Sequence, residues 1–189
     1  MRMNKRMSAK TGRKWSLAEL NALPAEDFVA SVGVIFEHSP WIAKRAAMRR
    51  PLQSADALLK SMQEIVETAP LVKKLALINA HPDLAGRIAR QGQLTAESTD
   101  EQASAGLTRI DSATRRRIDD VNAAYRERFG FPFIICARLN NVKTIIDAMD
   151  RRLNNSRDEE ISTALTEISK IARIRLLDLL RPEGQAPGL

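Results

Sequence analysis

Apolar residues recur at helical spacing along almost the whole chain, from about Trp15 to Arg181. Ser16-Leu-Ala-Glu19 has the form of a capping box, and Pro24 can open a helix reaching Val34. Ser39-Pro40 leads into a helix over Trp41–Met48. After Ser54, Leu58, Leu59, Met62, Ile65 and Val66 fall on one helix face. Pro70 opens the next helix, with Leu71, Val72, Leu75 and Ile78 inward and His81-Pro82 at its end. A turn-rich stretch from Gly86 to Thr95 precedes Ser98-Thr99-Asp100-Glu101-Gln102. A longer helix then covers Ser112 to Arg128, aligning Ile118, Val121 and Tyr125. Val142, Ile145, Ile146, Met149 and Leu153 mark another, and Ser156-Arg-Asp-Glu159 caps a last one running to about Leu180. The single β-like run, Gly130 to Ala137, contains Pro132, which argues against a central strand. The pattern predicts an all-α fold, a single compact bundle of about seven or eight helices with no substantial sheet.

Composition changes this picture in two places. The formal net charge is +7, which invites a nucleic-acid reading. Residues 1–14 hold Arg2, Lys5, Arg6, Lys10, Arg13 and Lys14 with no acid, and so carry +6 of it. The body is then about neutral, and the expected organisation is a disordered basic leader over 1–14, a helical domain over 15–181 and a tail over 182–189. A helical binder of nucleic acid or another anionic surface through that leader is the alternative class. The body lacks the basic recognition stripe it would need, so no nucleic-acid partner is expected. Removing residues 1–14 separates the two readings. No run of about 18 apolar residues predicts a membrane span, and no apolar core follows the basic start as in a secretory signal. One cysteine, Cys136, suits a reducing compartment, and a cytoplasmic protein is expected.

Several chemistries lack their residues. Two histidines (His38, His81) and one cysteine do not make an ordinary zinc site, and HExxH, GxSxG, Walker and GxGxxG patterns are absent. No metal is expected. In the last helix, Ile161, Leu165, Ile168, Ala172, Leu176 and Leu179 share an apolar arc, and Arg175 is the one charged residue within it. A guanidinium aimed at a core needs an anion, either an internal acid or a bound carboxylate. Ser98, Glu101 and Gln102 share a helix face, although a capping box alone explains Ser98 and Glu101. His81 is held stiffly before Pro82, and unperturbed histidine is the side chain suited to general acid–base work near neutral pH. Cys136 reads as a small core residue.

Three blocks carry a family likeness: Leu77-Ile-Asn-Ala-His81-Pro-Asp-Leu-Ala-Gly86, Leu94 to Leu107 around Glu97-Ser98-Thr-Asp-Glu101-Gln102, and Tyr125 to Ala137 around Phe129-Gly-Phe-Pro-Phe133. In combination, order and spacing they resemble the 2-oxo-4-hydroxy-4-carboxy-5-ureidoimidazoline (OHCU) decarboxylases over about Trp15 to Arg181. The resemblance implies an all-α enzyme, often a homodimer, that converts OHCU to (S)-allantoin and CO2 without a cofactor, in urate degradation. It implies catalytic roles for His81, Glu101 and Arg175. It places Pro82, Ser98, Thr99, Asp100, Gln102 and the segment Phe133, Ile134, Ile135, Cys136 and Ala137 against the substrate. The same fold acting on a related ureido or imidazoline acid is the nearest alternative.

Overall fold

The computed structural model describes residues 13–84 and 95–181. Most of the basic leader, the stretch from Gly86 to Leu94 and the tail over 182–189 lie outside the described residues. Among those described there are nine α-helices: α1 (Leu17–Ala22), α2 (Ala25–Val32), α3 (Pro40–Ala47), α4 (Ala55–Glu67), α5 (Leu71–Asn79), α6 (Ala96–Ser104), α7 (Ser112–Phe129), α8 (Val142–Arg152) and α9 (Arg157–Leu179). Short 3-10 turns occupy Gly33–Ile35, Leu107–Arg109 and Ala137–Leu139. The only β pairing among the described residues is an isolated bridge between Trp15 and Leu180. The all-α expectation holds, with nine helices among the described residues beside the seven or eight expected.

The chain forms two compact units, 1–68 with 173–189, and 69–172. In the first, Ser16 and Glu19 make the reciprocal capping box that their spacing predicts. Ser54 caps α4 by accepting from the Ala57 amide, and Leu58, Leu59, Met62, Ile65 and Val66 are all buried. Arg50 donates to the carbonyls of Leu20, Asn21 and Leu23 while its guanidinium lies 4.7 Å from the Phe28 ring centroid. One cation thus serves carbonyls at the C-terminal end of α1.

The second unit is organised around Tyr125. Its ring is packed by Phe129, Phe131 and Phe133 at centroid distances of 4.5, 6.1 and 5.3 Å. Four of the eight aromatic side chains in the sequence are therefore gathered here. Gly130 ends α7 in the left-handed region, at φ 78°, where a side chain would be strained. From there Phe131 to Ala137 is wholly buried, yet in no sheet, with Cys136 extended just before the 3-10 turn that starts at Ala137.

Below this segment sits a buried ion pair. Arg152 Nη2 lies 2.9 Å from Glu160 Oε2, with side chains 6% and 0% exposed. Tyr125 Oη donates to the same carboxylate, as does Asn155 Nδ2 at 2.7 Å. Burial pushes the Glu160 carboxyl up to about 7 and lowers the Arg152 guanidinium to about 10. The pairing opposes both effects by stabilising the two charged forms. The apolar face of α9 is also centred differently from expectation in its first part. Ile161, Ala164, Ile168 and Ile171 are buried, Leu165 is half-buried, and Glu160 and Glu167 join the buried face.

Arg152→Met should destabilise the protein by about 3–5 kcal/mol, because it strands the Glu160 carboxylate in the core. Urea denaturation followed by far-UV circular dichroism checks this, and a loss under 1 kcal/mol would contradict it.

Candidate active site

α5 ends at Asn79, and Ala80 closes its last turn, so that the chain leaves the helix at His81 and cannot continue past Pro82. The His81 ring turns back over that turn, with Nδ1 at 3.0 Å from the Leu77 carbonyl, and the residue is buried. A carbonyl oxygen only accepts, so Nδ1 carries the hydrogen in this contact. Nε2 is then the nitrogen that gains or loses a proton as the ring titrates.

The chain past His81 is held by α7. Asn122 Nδ2 donates to the Leu84 carbonyl at 3.0 Å, and Arg126 Nε reaches Asp83 Oδ1 at 3.0 Å. These two residues stand one helical turn apart on α7 and grip consecutive positions of the His-Pro-Asp-Leu segment.

The helix α6 begins one turn earlier than a Ser98 capping box requires. Thr95 is its N-cap, accepting from the Ser98 amide at 3.2 Å. Ser98 and Glu101 thus stand inside the helix and are not its capping pair. Ser98 and Gln102 are buried, and Glu101 is half-buried.

These elements meet at one cleft with an empty volume of about 360 Å³, the solvent in its mouth included. His81, Pro82 and Leu84 form one wall, and Ser98, Glu101 and Gln102 another. Phe133, Ile134, Ile135 and Ala137 form a third, with Ile171 of α9 beside them. The cleft joins a titratable imidazole, a carboxylate, an amide and a hydroxyl with apolar side chains. Such a set suits a small polar molecule whose orientation matters.

Not every residue expected at the site lines this cleft. Thr99 and Asp100 are exposed, and Thr99 Oγ1 bonds back to the Thr95 carbonyl at 2.9 Å. Cys136 is buried behind the third wall. Burial, and then the nearby Glu167 charge, push its thiol above the usual range, as befits a core residue and not a nucleophile. Arg175 belongs to the first unit. There Nη1 lies 2.8 Å from Glu37 Oε2 and donates to the Val34 carbonyl at 3.4 Å, with both side chains at most 4% exposed. The acid implied by a core-facing arginine is present, and it is Glu37. Sequence reasoning did not single out Glu37, because Phe36 to Ser39 has no periodicity to expose an inward carboxylate. Among the described residues no three or more His, Cys, Asp or Glu side chains gather as a metal ion requires.

The OHCU decarboxylase family model matches residues 21–177. A 2-oxo-4-hydroxy-4-carboxy-5-ureidoimidazoline decarboxylase of Halalkalicoccus jeotgali is 42% identical over 167 residues, 88% of this chain and 93% of that one. Its counterpart in Amia calva is 39% identical over 165 residues, 87% and 94% of the two chains. Among solved structures, an (S)-allantoin synthase superposes with a TM-score of 0.71 at 26% identity. That match takes in 88% of this chain and 54% of the other, so the chain spans about half the length of that solved protein.

Arg175→Met should lower stability by about 3–5 kcal/mol by removing the cation that faces the buried Glu37 carboxylate, and Glu37→Gln combined with it should recover part of the loss. Thermal melts of the two variants measure both effects. An Arg175→Met protein as stable as the parent would instead mean that the pair contributes nothing.

Proposed function

The chain belongs to the OHCU decarboxylase family, and on that premise we propose that it decarboxylates OHCU to (S)-allantoin in urate degradation. The observation that carries this reading is the single cleft that unites His81 with Ser98, Glu101 and Gln102. These residues come from separate elements, α5's end and α6. The domain responsible is assigned to residues 15–181.

The substrate bears its carboxylate on C4 beside a C5=N bond. As the C4–carboxylate bond breaks, CO2 departs and its electron pair forms C4=C5. The imine pair moves onto nitrogen, which takes a proton. The resulting enol loses its hydroxyl proton and gains one at C5, and the face that receives it sets the S configuration. The protein's tasks are to orient the ring and to move protons at a fixed face. His81, oriented through Nδ1, exchanges its proton at Nε2. Glu101 shares the proton traffic, and Ser98 and Gln102 hold the polar edges of the ring and the ureido arm. Thr99, Asp100 and the segment 133–137 complete the substrate contacts in this reading. Arg175 is retained as a catalytic residue on the strength of the family resemblance.

A homodimer follows from the resemblance, and a cytoplasmic location from the lone buried thiol of Cys136. Among the described residues no helix is long and apolar enough to cross a membrane. Sedimentation velocity tests the dimer.

Freshly generated OHCU, followed by circular dichroism, should give stereospecific allantoin formation well above the spontaneous rate. Racemic product at the uncatalysed rate would refute the function. His81→Asn should lower kcat by roughly 10²-fold or more with the fold intact. Glu101→Gln should lose activity with little change in melting temperature, since Thr95 and not Ser98–Glu101 caps the helix.

A further inference from the structure

The third wall of the cleft runs outside any α-helix or sheet, and its main-chain groups need partners that no neighbouring strand supplies. Two side chains meet two of them. Arg152 Nη1 donates to the Ile134 carbonyl at 2.8 Å, and Glu167 Oε2 accepts the Cys136 amide at 2.8 Å. These two groups belong to the peptide units on either side of Ile135. In a planar trans unit the N–H and C=O point oppositely, so the N–H and C=O of Ile135 are turned away from the clamps. Phe133 and Ile135 are also residues that line the cleft.

We propose that Glu167 is a positioning residue of the reaction: with Arg152 it fixes the two peptide units that flank Ile135, so that the Ile135 N–H and C=O meet the amide-like groups of the bound ureide. This rests on the function proposed above. Glu167 itself stays out of the cleft. It is buried on α9, and its second oxygen meets Lys170 Nζ at 2.5 Å. A carboxylate is suited to this work because its bond to a peptide N–H is charge-assisted and roughly twice as strong as a neutral one. Arg152 is itself locked on both sides. Its Nε and Nη2 are held by Glu160, and its guanidinium carbon lies 4.3 Å from the Phe133 ring centroid. The hold on the backbone therefore runs from α8 and α9 through two rigid side chains. The same clamp ties the aromatic floor at Phe133 to the wall above it.

The test compares Glu167→Ala, Glu167→Asp and Glu167→Gln with the parent on freshly generated OHCU, below each variant's melting temperature. Ala removes the acceptor, Asp keeps the charge but falls short, and Gln keeps an acceptor at the right reach. We expect kcat/KM to fall about ten-fold or more in Ala and Asp, in line with the cost of about 1 Å of misplacement. Gln should recover most of it. Hydrogen exchange at the Cys136 amide should quicken in Ala and Asp and return towards the parent rate in Gln. Parent-like kcat/KM in folded Ala or Asp would overturn the proposal, as would a Gln variant as impaired as either. Should Ala fail to fold, Asp and Gln decide alone. Parent protein that does not turn over OHCU would refute the assigned reaction, and unchanged Cys136 exchange in the variants would refute the clamp.

Discussion

Seven consecutive residues, Phe131 to Ala137, are buried with no sheet around them, and only the last enters a helical turn. Each brings peptide polar groups into a region that water does not reach, and an unmade hydrogen bond there costs about 1–3 kcal/mol. In an all-α unit these groups must be met by side chains. That requirement accounts for much else in the unit. It explains why Arg152 leaves α8 for the core and why Glu167 turns inward from α9. It also explains why Glu160, Tyr125 and Asn155 converge on the guanidinium–carboxylate pair that keeps Arg152 in place.

Buried charges are costly, so their recurrence has to have a reason. Among the described residues two buried ion pairs occur, one in each unit, and they share a design. Arg152 bonds Glu160 and the Ile134 carbonyl, and Arg175 bonds Glu37 and the Val34 carbonyl. In each case one planar fork satisfies a carboxylate and a main-chain oxygen together. A lysine does not reproduce this geometry, because its ammonium is a point charge without a fork. The net contribution of such pairs to stability is small compared with what breaking them costs. Their value lies in fixing the backbone that they touch.

The cleft inherits its precision from these supports. His81 is oriented by the carbonyl of its own helix, four residues back, and the chain beyond it is gripped by Asn122 and Arg126 of α7. Ser98, Glu101 and Gln102 are carried on one face of α6, whose start is set by Thr95. A proton delivered to one face of a planar enol demands such rigidity, since stereochemistry is lost as soon as the donor or the ring can rock. The reacting groups sit at element ends and on a short helix, while the members that hold them are the long helices α7 and α9.

What the sequence by itself determined is local. Helical spacing along the chain is enough for the all-α class, because each amphipathic period reflects contacts three and four residues apart. Capping pairs such as Ser16–Glu19 and Ser156–Glu159 are equally legible, and both form as their spacing predicts. The His-Pro-Asp-Leu, Glu-Ser-x-x-Glu-Gln and Phe-Gly-Phe-Pro-Phe blocks mark the cleft through family likeness, and Arg175 shows up as a charge within an apolar arc. Only the tertiary structure decided the rest. Whether Ser98 and Glu101 cap a helix or line a cleft depended on Thr95 taking the capping position. That Arg175 meets Glu37, across 138 residues of sequence, follows from no spacing rule. Glu160 and Glu167 follow each other at seven residues on the inner side of α9, yet acids in a helix ordinarily mean a solvated face. Glu167 turns inward to a main-chain amide of a distant segment, and Glu160 to the guanidinium that holds a carbonyl of the same segment. Periodicity records which face is apolar, but it carries no record of the unpaired peptide groups on the other side of the core, and those groups chose the charges that meet them.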